Sequence, residues 1–205
     1  MFKICYCIVI MSNKEEKLMM NPADFPLNVN DEVTLELVKV EDTEEMFRVV
    51  DENREHLQEW LPWVPSIKTI EDERKSLEKN AQEFNDSKQL NLTIRHNGSI
   101  IGRIGGHDID WENKRTEVGY WLAESVEGKG IMTEACKTLI NYFFEVLRLH
   151  RIEILCAAEN ERSCAIPERL GFTYEGTLKG FERLNERYTD VKVYRLLEEE
   201  WHNNQ

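Results

Sequence analysis

The stretch GYWLAESVEGKGIMTEA, Gly119 to Ala135, limits what this chain can fold into more than any other segment. An aromatic, strand-like run enters a loop carrying Gly128 and Gly130, and a helical pattern begins at once. Ala135, Leu139, Phe143 and Leu147 recur at helical spacing with Ile140 and Phe144 alongside, which predicts a helix from about Gly130 to Leu147. RIEILCAA, from Arg151, follows as a strand of low polarity and so a central one. A helix joining two strands of one sheet is a crossover, so the strand from about Thr116 to Leu122 and the strand at Arg151 are expected to run parallel.

The rest of the chain surrounds that unit with antiparallel signals. VTLELVKV, Val33 to Val40, alternates as a half-buried strand does. A helix capped by Asp42 or Thr43 is expected through about Leu61, with Met46, Phe47, Val50 and Leu57 inward, ended by Pro62 and Pro65. A second helix is expected from about Ile70 to Phe84, opened by Thr69 and Asp72 in capping-box spacing. Asn97-Gly98 between two alternating runs predicts a hairpin with a type I′ turn. ERSCAIPERLGF reads as a short helix closed by Gly171, and two strands, about Phe172 to Arg183 and Arg187 to Leu197, finish the domain. The order gives an α+β fold with a mixed sheet and no second domain. Residues 29–205 form that domain. Residues 1–28 are expected to be a poorly ordered extension or the product of an upstream start, since MSNKEEK from Met11 resembles a natural beginning and NPADFPLN reads as a linker.

Composition excludes several classes. The net charge of -13 argues against a broad nucleic-acid face. It suits a cationic or amine partner, or simply solubility. The apolar N-terminal run is too short to span a bilayer, so no membrane role is expected. Cys5, Cys7, Cys136, Cys156 and Cys164 form no Cys-x-x-Cys pair, which points to reduced thiols in the cytoplasm and to no metal.

A strand that ends in a glycine loop and opens a helix is an anion site, because the first N–H groups of the helix have no partner and the macrodipole favours negative charge there. Val126 to Thr133 fits, with Lys129 and Thr133 as side-chain donors. The P-loop spacing is absent, and the dinucleotide fingerprint lacks its third glycine where Thr133 stands.

The loop EGKGIM, Glu127 to Met132, resembles the Gln/Arg-x-x-Gly-x-Gly/Ala loop of the GNAT superfamily of N-acetyltransferases. EVGYWL resembles the strand before it, and AENERSCAIPERLGFTYEGT, with Asn160 and Ser163, resembles the second cofactor segment. With WLPW, the set is similar to the Rim-type branch, the ribosomal-protein N-alpha-acetyltransferases. Glu127 and Met132 depart from the pattern, and Pro167 stands where many members carry a tyrosine. The resemblance implies a GNAT-like mixed, mostly antiparallel sheet with helices on both faces and one parallel pair splayed around acetyl-CoA.

It also implies roles. Glu127, Gly128, Lys129, Gly130, Ile131, Met132 and Thr133 would hold the pyrophosphate, and backbone groups of Trp121 and Leu122 would meet the pantetheine and thioester. Asn160 would cap its helix or hold the pantetheine, and Ser163 would serve the leaving thiolate or act as a cap. Glu117 is the first candidate base and His107, expected to be a solvated strand-end histidine, the second. Trp60 and Trp63 suit either an acceptor wall or the core. Cys164 lacks a histidine partner and is not expected to be a nucleophile. The implied activity is acetyl transfer from acetyl-CoA to a primary amine by direct attack, first of all the N-terminal amine of a basic ribosomal protein. A small amine (a polyamine, an aminoglycoside or an amino-acid derivative) and a non-catalytic acetyl-CoA-binding module are the alternatives. A homodimer is the assembly to test.

Overall fold

The computed structural model describes residues 20–184 and 186–203. The first 19 positions, and with them Cys5, Cys7 and most of the expected extension, lie outside the described residues. Eight strands form one sheet in the order β1-β2-β3-β4-β5-β6-β8-β7. They are β1 Leu27–Asn28, β2 Val33–Leu37, β3 Leu90–His96, β4 Ser99–Asp110, β5 Arg115–Leu122, β6 Arg151–Ala157, β7 Thr173–Leu184 and β8 Arg187–Leu197. The Asn97-Gly98 turn has φ of 50° and 83° at its two residues, the positive pair that type I′ requires. Residues 20–28 pack on the domain rather than leading up to it. Met20 is buried, β1 pairs with β2, and the Tyr142 hydroxyl donates to Asp24 at 3.0 Å.

Helices cover both faces. On one side lie α1 Thr43–Glu52, α2 Arg54–Gln58 and α3 Ile70–Asn85. The single helix expected through Leu61 is broken at Asn53, with physical cause. The Asn53 amide donates to the Val49 carbonyl at 2.8 Å, and its oxygen accepts from Glu124 N–H at 2.9 Å, so it ties the break to the loop after β5. Phe47 is only half-buried, and Val49 takes its place in the core. The α3 capping box is complete, with Asp72 N–H to Thr69 Oγ1 at 3.1 Å and Thr69 N–H to Asp72 Oδ2 at 2.9 Å.

On the other side lie α4 Ile131–Asn141, α5 Glu161–Arg169 and α6 Glu198–Asn203. The helix expected to Leu147 turns to π geometry over Tyr142–Val146. A spacing of four residues outruns the 3.6-residue turn of an α-helix, and one wide turn absorbs the drift. It lets Tyr142, Phe143 and Phe144 all be buried, at about 1.5–3 kcal/mol for each large side chain. Phe143 closes on Gly106, where an added Cβ would lie 2.5 Å from the ring.

The parallel pair is short. β5 and β6 are in register only at Arg115–Arg151, Thr116–Ile152 and Glu117–Glu153, and beyond Glu117 they part. This gap in the middle of the sheet positions everything that follows.

Candidate active site

The glycine loop crosses one end of the gap. Gly128 and Gly130 have φ of 75° and 80°, and an added Cβ would meet nothing within 4 Å at either. Their need for glycine is therefore conformational rather than one of space. Gly130 is the N-cap of α4 and makes no side-chain cap, and Glu134 is bonded back to the Gly130 carbonyl at 3.2 Å. Helix geometry thus leaves the N–H groups of Ile131, Met132 and Thr133 free to point at a ligand. The Met132 side chain is buried in the core, so its backbone alone faces the loop. The Lys129 ammonium folds back to the Ser125 carbonyl at 3.2 Å.

Glu127 does not stand as a bare charge at this anion site. Its Oε1 lies 2.8 Å from His56 Nε2 of α2, and its Oε2 accepts from Arg162 of α5 at 2.7 Å. The carboxylate joins helices from the two sides of the cleft mouth and is neutralised by Arg162.

Strand alternation assigns the backbone groups. Ala123 N–H donates to the Ile101 carbonyl at 2.8 Å, so Trp121, two residues back, also spends its backbone groups on β4. Leu122 occupies a non-hydrogen-bonded position, and its N–H and carbonyl face the gap. Of the two residues read as backbone partners, Leu122 has the free groups and Trp121 does not.

Glu117, Gly119 and Trp121 share one face of β5. His107 stands across from Glu117 in the register, and the next paired residues are Asp110 and Arg115, so β4 carries an extra residue there. Such a bulge re-aims side chains beside it. Burial, with Glu153, Asp108 and Glu182 nearby, raises the Glu117 carboxyl from 4.5 to about 7. His107 is not a solvated strand-end residue. Its ring packs where a Cβ on Gly119 would come within 2.9 Å of Nε2, and Nδ1 lies 3.0 Å from Gln89 Oε1. Burial, reinforced by Arg103, lowers its pKa below 6.5, which keeps the ring neutral.

The opposite face carries Tyr120 and meets α5. Asn160 caps that helix, its oxygen accepting from Ser163 N–H at 3.0 Å. Ser163 is therefore not the cap but a residue of the first turn, with its hydroxyl 3.3 Å from the Tyr120 oxygen and 3.4 Å from Cys156 Sγ. The Tyr120 phenol donates to the Ser163 carbonyl at 3.1 Å. Sequence reading missed Tyr120. Its odd offset from Glu117 was the available signal, since alternation puts the two residues on opposite faces of the strand. The Cys164 thiol donates to the Ala157 carbonyl at 3.7 Å, is only 3% exposed and does not line the cleft.

These groups line one cleft of about 1620 Å³ through the gap. Glu117, His107 and Trp60 border it from one face, Tyr120 and Ser163 from the other. Trp63 does not border it; half-buried, its ring packs 6.2 Å from that of Trp121, against the core under α1 and α3. Among the described residues no group of His, Cys, Asp and Glu could hold a metal ion, and no helix is long and apolar enough to cross a membrane.

Residues 32–173 match the acetyltransferase (GNAT) domain family. YdaF of Bacillus subtilis (strain 168) is 34% identical over 178 residues, covering 86% of this chain and 97% of its own. RimL, a ribosomal L7/L12 alpha-N-protein acetyltransferase solved with coenzyme A, superposes with a TM-score of 0.82 at 27% identity, over 84% of this chain and 98% of that one. The microcin C7 self-immunity acetyltransferase MccE, solved with acetyl-CoA and AMP, gives 0.80 at 31% identity over 82% and 94%. With the glycine loop, the splayed strands and the open helix N-terminus in place, the chain belongs to the GNAT acetyltransferase family and is an acetyl-CoA-dependent N-acetyltransferase.

Proposed function

We propose that this enzyme acetylates the N-terminal α-amine of a protein in the cytoplasm, with basic ribosomal proteins the first acceptors to test. The observation that carries this reading is the extent of the cleft. The cleft runs from the glycine loop, which the cofactor would fill, past Glu117 to Trp60, Pro62 and Phe181, so its lining continues beyond the cofactor segment to where an acceptor chain would lie. Similarity to RimL supports the same acceptor class.

When bound, acetyl-CoA supplies an activated acetyl group. The loop N–H groups of Ile131 to Thr133 would hold its phosphates, and the Leu122 N–H would be the donor for the oxygen that gains charge during attack. Glu117 takes the proton of the incoming ammonium, its raised pKa matching that task near neutrality. His107, already neutral and hydrogen-bonded to Gln89, orients beside it. Ser163 would serve the leaving sulfur, and Trp60 would wall the acceptor side. The acidic surroundings of Glu117 draw a cationic amine in.

The test offers acetyl-CoA with short peptides bearing free or blocked N-termini, and with spermidine in parallel. Acetylation mapped by tandem mass spectrometry to the α-amine of free peptides is the expected product. Rapid turnover of spermidine with untouched peptides would overturn the peptide reading in favour of a small amine. A second expectation concerns the loop: Glu127→Gln should tighten CoA binding about two- to fivefold at low salt and by less at high salt, because Arg162 is then released toward phosphate. Calorimetric titration at two ionic strengths checks it.

A further inference from the structure

Tyr120 and Ser163 are 43 positions apart in the chain and meet across the gap. Ser163 is held at three points. Its N–H is bound by Asn160, its carbonyl accepts from the Tyr120 phenol, and its hydroxyl donates to the phenol oxygen or to Cys156 Sγ. A serine hydroxyl has a single hydrogen to give. In this arrangement that hydrogen is turned back into the protein, and nothing is offered to the cleft. A rotation of the phenol hydrogen changes this. If Tyr120 donates to Ser163 Oγ instead of to the carbonyl, Ser163 becomes the acceptor in that pair and its own hydrogen is free to point into the cleft.

We propose that Tyr120 is a positioning residue for acetyl transfer, switching its hydrogen bond from the Ser163 carbonyl to the Ser163 hydroxyl so that Ser163 can donate to the departing sulfur. The proposal rests on the acetyl-transfer reading of the cleft. Ser163 donates as the C–S bond breaks and its electron pair stays on sulfur, while Glu117 holds the proton given up by the amine. No proton leaves the phenol, since burial holds Tyr120 well above its ordinary value of 10. Its part is to polarise and aim. Pro167, in the slot where many relatives of the fold carry a tyrosine, has no side-chain donor, so the phenol enters from β5 rather than from α5.

The experiment is a double-mutant cycle on the full chain with Tyr120→Phe, Ser163→Ala and both together. Calorimetry measures affinity for CoA and for desulfo-CoA, which differ only at the thiol. The wild type is expected to favour CoA about tenfold, and each single variant to bring the two ligands within about twofold, with the double variant no further. With a productive acceptor, kcat should fall about tenfold in each single variant and no more in the double, at unchanged KM for acetyl-CoA. Phenylalanine keeps the ring, and an unchanged melting temperature of the ligand-free protein shows that packing survived. Losses that multiply in the double variant, a Tyr120→Phe protein that keeps full preference for CoA, or a wild type that binds both ligands alike would each overturn the proposal. A wild type that discriminates between the ligands yet acetylates no amine would instead sink the transfer reading, and the binding cycle would still decide Tyr120.

Discussion

Glu117→Gln should lower kcat about 100- to 1,000-fold and, at pH 8, make the same protein more stable. Both effects follow from one carboxyl raised from 4.5 to about 7 by burial and by Glu153, Asp108 and Glu182. The base works only when ionised. In the wild type kcat/KM should therefore rise with pH through about 7 and then level, and the variant should lose that limb. Stability runs the other way. Between 4.5 and about 7 the folded state binds this proton and the unfolded state does not, so stability falls as pH rises through that window and stays lowered above it. A glutamine has no proton to lose. At pH 8 it should recover up to about 3 kcal/mol, and below pH 4 almost nothing. Thermal melts at the two pH values, beside a pH–rate profile, test both parts. A variant that loses activity with a wild-type pH dependence of stability would show that folding does not raise the Glu117 carboxyl, which would then be ionised well below neutrality.

Gly130→Val should abolish measurable CoA binding at concentrations that saturate the wild type, a loss of at least about 100-fold, while the protein stays folded. The residue has φ of 80°, a region that a β-branched side chain enters only under strain of ~1–3 kcal/mol. Nothing lies within 4 Å of the added Cβ, so the core is undisturbed and the whole cost falls on the loop. Relieving it turns the N–H groups at the start of α4 away from the phosphates. Lys129→Ala, between the two glycines, should shift affinity by no more than about threefold, because its exposed ammonium reaches only the Ser125 carbonyl. Calorimetric titration of both variants with CoA is the measurement. Equal affinities in wild type and Gly130→Val would remove the loop from the binding site.

Much of the frame was legible in the chain because its signals are local. Asn97-Gly98 can only make a tight positive-φ turn between two strands, and it does. Thr69 and Asp72 sit where each can cap the other's backbone, and both bonds form. The break at Asn53 was not legible, because its cause is a hydrogen bond to Glu124, 71 positions away. The π turn at Tyr142 was hidden behind a pattern of apolar residues that an α-helix and a wider turn share. Trp63 could not be told from its neighbour Trp60, since both are half-buried and only the packing of Trp121 against Trp63 shows which of the two turns toward the core.

By itself the sequence determined the crossover, and with it the parallel pair, the glycine loop at the head of α4 and the family. Each depends on residues close in the chain, where spacing alone dictates geometry. Alternation along β5 is equally local, but it could not say what either face of the strand would meet. The tertiary structure decided which face buries the raised carboxyl of Glu117 and which meets α5, together with the Arg162 and His56 partners of Glu127 and the phenol against Ser163. These are matters of desolvation and of hydrogen bonds between segments 35 to 71 positions apart, and no local pattern encodes what such segments meet when the sheet splays.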